Sequence, residues 1–220
     1  MTTLVAVISH YADEATAARR AVRETWLQRW PDDMPVKFWL AGRCDAAYSD
    51  EWVLEADDSY LGMPSKVRAG CVRAMDEGYD HVWLCCHDAY VILPRLAQVE
   101  PPGDYAGEVI RTGNQWERGV YWVGGAGTWL GRPAMDVITA SDPPQYFPDF
   151  WLGQLLNPAG LMPVQDGRYH YPGGHHQFKW DEPWSWEGRC AVNLGRGKGN
   201  YDPAWMRTCH EAFTRLHPQE

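Results

Sequence analysis

One run of residues carries chemistry to the end of an apolar segment. His81-Val82-Trp83-Leu84-Cys85-Cys86-His87-Asp88-Ala89-Tyr90-Val91 begins as a buried strand and stops at His87 and Asp88. A carboxylate and an imidazole there could hold a divalent cation, and open α/β sheets bind their ligands at the carboxyl ends of strands. The plainer roles are a turn cap for Asp88 and a backbone hydrogen bond for His87. Asp149 starts a helix, where the dipole favours its ionised form and where an N-cap is its ordinary role. Arg20 and Arg23 lie one helical turn apart, close after the first apolar run, and could grip a phosphate or simply face solvent. Gly173-Gly174 beside His175-His176, with His170 nearby, suggests a loop bent close to a ligand, His175 foremost. No His/Cys/Glu set has zinc spacing. Gly195-Arg196-Gly197-Lys198-Gly199 is a basic loop that lacks the spacing and the Ser/Thr of a Walker phosphate loop.

The elements that must position these groups alternate. Leu4–Ile8 reads as a buried strand, followed by a helix from Asp13 to about Trp30 with Ala18, Val22 and Trp26 on one face. Val36–Leu40 and Trp52–Glu55 are further strands. Pro64 opens a helix that buries Val67, Cys71, Ala74 and Met75 and ends at Gly78. Four strand–helix alternations in the first 90 residues predict a parallel sheet with helices on its faces. The pattern then changes. Val109–Arg111 and Val120–Val123 flank Gly113-Asn114 like a hairpin. Helices follow from Pro133 and over Asp149–Leu156, and Leu161–Gly199 reads mostly as loop. Asp202-Pro203 caps a last helix striped with Trp205, Cys209, Phe213 and Leu216.

A chain of 220 residues suffices for one domain with a full core. Its formal net charge of −9 argues against a surface built to hold nucleic acid or membrane. Thirteen tryptophans are unusual for this length and suggest a groove that stacks on flat ligand faces, or simply a tryptophan-filled core, with Trp122, Trp129 and Trp151 able to serve either. Six cysteines show no disulfide framework and fit a reducing compartment. With no leader or membrane span legible, the expected location is cytoplasmic, in a bacterial cell or a phage-infected host.

Five stretches resemble the β-1,3-galactosyltransferase and Fringe family, in that family's order. They are Arg19-Arg20-Ala21-Val22-Arg23-Glu24-Thr25-Trp26, Asp57–Lys66, Cys86-His87-Asp88-Ala89-Tyr90-Val91, Gly124-Gly125-Ala126-Gly127-Thr128-Trp129-Leu130 and Pro148-Asp149-Phe150-Trp151-Leu152-Gly153. The resemblance implies a single GT-A-like α/β domain, with a mixed, mainly parallel central sheet flanked by helices. A nucleotide-binding half would span about residues 1–90, and an acceptor-binding half with the C-terminal helix about 91–220. It implies a UDP-sugar donor, Mn²⁺ or Mg²⁺, and inversion at the anomeric carbon. Carried over by position, Asp149 is the base and Asp88 the metal ligand, with His87 and His175 as further candidates. Arg20, Arg23, Asp57, Asp58 and Lys66 would serve the nucleotide. Gly124 and Gly125 would let backbone approach the donor sugar or the acceptor. The departure is that the family's acidic triplet is Cys86-His87-Asp88 here, so one acid remains.

The expected activity is inverting, metal-assisted sugar transfer to a hydroxyl on a glycan, a glycolipid precursor or a modified DNA base. Two alternatives stand beside it: a phage-type enzyme acting on hydroxymethylated DNA, for which stacking tryptophans and the 195–199 loop would suit a flipped base, and a non-catalytic nucleotide- or sugar-binding relic.

Overall fold

The computed structural model describes residues 2–29, 34–42, 46–111, 121–170, 182–194 and 201–220, with side chains except at Arg29, Arg111, Tyr121, Trp122, His170 and Trp184. Strand β1 (Thr3–Ile8) leads into α1 (Asp13–Glu24) and a short 3-10 turn (Trp26–Arg29). Then come β2 (Val36–Ala41), β3 (Glu51–Leu54), α2 (Met63–Asp76) and β4 (His81–Cys86). After a tight turn follow β5 (Ala89–Val91), α3 (Leu93–Leu96), β6 (Tyr105–Arg111) and β7 (Tyr121–Gly131). The rest comprises α4 (Arg132–Thr139), α5 (Pro148–Leu156), β8 (Val164–Gln165), β9 (Tyr169–His170), β10 (Ala191–Asn193) and α6 (Pro203–Leu216).

Seven strands form the main sheet in the order β3-β2-β1-β4-β7-β6-β8. The four strands of the first 90 residues are parallel neighbours, as their alternation with helices predicts. β7 then runs antiparallel to both β4 and β6. This mixed sheet with flanking helices is the expected fold class, in one domain. A smaller sheet, β5-β10-β9, stands beside it. Two apolar layers cover the main sheet. Trp39, Val67, Cys71, Ala134, Ile138 and Leu152 belong to one, and Trp83, Tyr90, Trp129, Trp186, Cys209 and Phe213 to the other.

Several local signals act as read. Asp202 Oδ1 accepts from the Ala204 amide at 2.9 Å and caps α6, with Pro203 in the first turn. α2 opens around Pro64 and buries Val67, Cys71 and Ala74. Others shift. α1 ends at Glu24, where the Thr25 hydroxyl donates to the Ala21 carbonyl at 2.6 Å and the chain tightens into the 3-10 turn. On α6 Met206, not Trp205, joins the buried stripe. The stretch read as mostly loop contains β8, β9 and β10, each of two or three residues and too short to show a period.

The largest departure is β7. Eleven residues run straight through Gly124-Gly125-Ala126-Gly127 as strand. Glycine weakens a strand, so each needs a reason. At Gly127 the reason is Trp83 of the neighbouring β4, since a Cβ there would lie 2.4 Å from the indole. Trp129 and Trp151, candidates for a ligand wall, are buried in the core at 0% and 4% exposure. The side chain of Trp122 lies outside the described set. No helix among the described residues is long and apolar enough to cross a membrane.

The close Trp83–Gly127 contact gives a stability prediction. Gly127→Val should lower unfolding free energy by about 2 kcal/mol through overpacking, seen in urea denaturation as a lower midpoint at unchanged slope.

Candidate active site

The site forms where β1 and β4 end and β7 passes. β4 delivers Cys85 into the core and Cys86 toward the cleft, as strand alternation requires. The next two residues make the turn into β5. Three contacts fix that turn. The His87 amide donates to the Ile8 carbonyl at 3.1 Å, and the Leu194 amide donates to the Asp88 carbonyl at 2.8 Å. The Trp26 indole donates to the Ala89 carbonyl at 3.1 Å. The stretch ending in Trp26 thus acts as a support for the turn.

Asp88 and Asp149 face one recess. Asn193 Nδ2, from β10, donates to Asp88 Oδ1 at 3.0 Å. Asp149 sits in the first turn of α5 but does not cap it; Phe147 is the N-cap residue and makes no side-chain cap bond. Its carboxylate points instead at β7. A Cβ added at Gly125 would lie 3.9 Å from Asp149 Oδ2, 3.6 Å from Cys86 Sγ and 3.9 Å from Asn193 Nδ2. Gly125 thus lies between Asp149 and the Asn193 that holds Asp88, with room for a methyl at ordinary contact distance.

Burial pushes the Asp88 carboxyl up to about 6, the Asn193 hydrogen bond opposing. Burial and then the neighbouring Asp88 charge push Asp149 up to about 7. Both acids also raise the Cys86 thiol, already raised by burial, so it stays protonated at neutral pH. Asp149 is therefore poised to take a proton near neutrality, which a general base needs.

The other candidates divide. Lys66 is 1% exposed and its Nζ donates to the Ser9 carbonyl at 2.5 Å and to Asp58 Oδ1 at 2.7 Å. Asp58 also accepts from the amides of Tyr11 at 2.9 Å and Ala41 at 3.2 Å, tying the ends of β1 and β2 to α2. This pair borders the cleft. Asp57 is exposed and accepts from the Ser59 amide and hydroxyl, which stabilises its own turn. Gly124 lies in β7 beside Gly125.

The structure does not bring Arg20 or Arg23 into the recess. Arg20 is exposed on α1. Arg23 pairs with Asp50 and Glu51 at 2.8 Å and lies over the rings of Tyr48 and Phe38. The inward arginine is Arg19, which contacts Ser9 Oγ at 3.1 Å, the His10 carbonyl and Glu51 at 3.4 Å. Its signal was its place on the Ala15, Ala18, Val22 stripe. Asn193 carried no sequence signal, because a lone asparagine after a short apolar run is ordinary.

His87 turns away from Asp88, toward His10, with ring centres 5.5 Å apart, and toward Tyr201. Burial first, then nearby cationic groups, lower it to about 4, so it is neutral. His175 and the 195–199 loop lie outside the described residues, as does His176, and only the backbone of His170 is described. Among the described residues no group of three His, Cys, Asp or Glu side chains could hold a metal ion. Asp88 supplies one carboxylate already engaged by an amide, so these residues do not by themselves fit a divalent cation.

No family model matches the sequence, and no curated protein sequence matches it. Solved structures do match the fold. A glycosyltransferase involved in the glycosylation of the major capsid of the virus PBCV-1 aligns at TM-score 0.54 and 8% identity, over 96% of this chain and 99% of that one. The catalytic domain of Drosophila β1,4-galactosyltransferase 7 aligns at TM-score 0.49 and 12% identity, over 94% and 80%. The galactosyltransferase LgtC aligns at TM-score 0.47 and 10% identity, over 96% of each chain. The first of these carries the assignment of the fold, which is that of the GT-A glycosyltransferases. These matches do not show the Fringe-like β-1,3-galactosyltransferase family.

The raised acid gives a linkage prediction. A carboxyl whose folded pKa lies above its unfolded value destabilises the fold as pH rises between the two, here from about 4 to about 7. Asp149→Asn should thus raise the melting temperature at pH 8 by on the order of 5 °C, with little gain at pH 4. Differential scanning calorimetry at both pH values checks it.

Proposed function

We propose that the protein transfers a sugar from a UDP-sugar donor to an acceptor hydroxyl, with inversion and with Asp149 as the base. The observation that carries this reading is the Asp149 carboxylate, recessed beside Asp88 over Gly125 and raised to about 7, within a GT-A fold. The acceptor O–H gives its proton to Asp149. The oxygen then bonds the anomeric carbon as the bond to the diphosphate oxygen breaks, and that electron pair leaves with UDP. Inversion follows if the base and the leaving group lie on opposite faces of the sugar.

The donor would lie across the ends of β1, β2 and β4, over the first 90 residues, and the acceptor over the remainder. There Arg19 and Lys66 supply positive charge, tempered by Glu51 and Asp58. Asp88 keeps Asp149 basic, and its hydrogen bond from Asn193 holds it in place. The family resemblance implies Mn²⁺ or Mg²⁺, but the described residues do not by themselves fit such a cation, and no step here depends on one. The raised Asp149 set beside Asp88 near Gly125 favours catalysis over a binding-only relic, because such perturbed acids cluster at functional sites. Cys71, Cys85, Cys86, Cys190 and Cys209 are free thiols, which suits a reducing, cytoplasmic setting.

UDP release from a panel of UDP-sugars, with and without acceptor, tests the reading. One donor should be turned over, with kcat rising through about pH 7 and level above it. Asp149→Asn should lower kcat by about 1,000-fold while UDP still binds. Undiminished turnover in this variant would remove Asp149 from the base role.

A further inference from the structure

Trp129 and Trp151, which could have walled a ligand site, are in the core, yet aromatic surface remains near Asp58 and Asp149 along the chain. Tyr60 is 63% exposed, Phe147 49% and Tyr146 37%, with Leu61 at 44% between them in the fold. Large exposed rings gathered in one place ask for an explanation, whereas scattered ones do not. These three are gathered. Tyr60 meets Phe147 edge-on with ring centres 5.9 Å apart, and Phe147 meets Tyr146 at 5.3 Å. The Tyr146 amide donates to the Leu61 carbonyl at 3.0 Å, clamping the two segments together.

The position is informative. Tyr60 follows Asp58, which borders the cleft, by two residues. Phe147 precedes Asp149 by two. The patch thus touches both parts of the site along the chain, with Phe147 at the N-cap of the helix whose first turn carries Asp149. Its charge is informative too. Segments 55–61 and 142–147 hold Glu55, Asp57 and Asp142, besides Asp58 that Lys66 neutralises, and no lysine or arginine of their own. A phosphodiester backbone would be repelled by such a rim. A neutral sugar would not. One face of a pyranose presents C–H groups that suit the negative face of an aromatic ring, and its hydroxyls can donate to carboxylates around the edge.

We propose that Tyr60, Tyr146 and Phe147 form a stacking platform for a neutral saccharide acceptor, which presents one hydroxyl to Asp149. This rests on the proposed glycosyl transfer and names its acceptor class. It separates a glycan acceptor from a hydroxymethylated DNA base.

The test uses the full chain and saturation-transfer NMR with methyl glycosides of glucose, galactose, N-acetylglucosamine, mannose and xylose, with UDP titrated in parallel. At least one glycoside should bind, its saturation strongest on the C–H protons of one face. The double substitution Tyr60→Ala/Phe147→Ala should weaken it at least about 10-fold, and Tyr60→Phe should retain it. The rings are exposed, so the double variant should melt within a few degrees of the parent. The platform is overturned if no glycoside binds while UDP does. It is equally overturned if a bound glycoside ignores the double substitution, or if a hydroxymethylcytosine duplex binds through these rings in preference. Ring-dependent glycoside binding without UDP binding would uphold the platform and overturn the UDP-donor reading.

Discussion

The recess holds two carboxylates that oppose each other. Each is pushed toward its neutral form by burial, and the charge on Asp88 pushes Asp149 further. Such a pair does not persist unless the surroundings hold it. β4 and β7 are locked antiparallel from His81↔Gly131 to Leu84↔Thr128, with Trp83 seated on Gly127 at the next step. α5 packs on β7 and carries Asp149, and the turn after β4 carries Asp88. The separation of the acids is thus set by strand register and one indole, not by long flexible side chains.

The ends of β1 and β2 are built differently. There the charges are paired in advance: Lys66 with Asp58, Arg19 with Glu51, and Arg23 with Asp50 and Glu51. Removing one member of a buried pair leaves the other uncompensated, which costs more than the pair contributes. The network therefore shapes the ends of β1 and β2 rather than offering loose cations. A polyanionic ligand arriving there would meet a field already partly balanced. One half of the cleft stores electrostatic tension and the other has relieved it.

Much of this was legible. β1, β4, α2, α5 and the Asp202 cap depend on local patterns of apolar residues, prolines and one carboxylate, and the structure forms them from those patterns. The two acids were legible because each lies next to an element boundary. What could not be read came from distant partners. Gly125 and Gly127 look like strand breakers until Cys86 and Trp83 are beside them. Arg20 and Arg23 look like ligand-facing cations until Arg20 is seen exposed and Arg23 taken by Asp50 and Glu51, while Ser9 and the His10 carbonyl receive Arg19. Lys66 looks like a surface lysine until Asp58 and the Ser9 carbonyl enclose it. The exposed Tyr60, Tyr146 and Phe147 were masked by the abundance of tryptophan, which drew attention to Trp129 and Trp151, both in the core.

The turn that carries Asp88 is held from far along the chain. Asn193 reaches back 105 residues to its carboxylate. Tyr90, just beyond the turn, meets His210 at 3.0 Å, and Arg95 meets Glu220. During synthesis the parallel strands and α2 would emerge, and could pair, well before any of these anchors existed. Contacts so distant form late and slow folding. A nascent chain would own its parallel strands while the turn that carries Asp88 was still unanchored, so the setting of that carboxylate would wait for the C-terminal third.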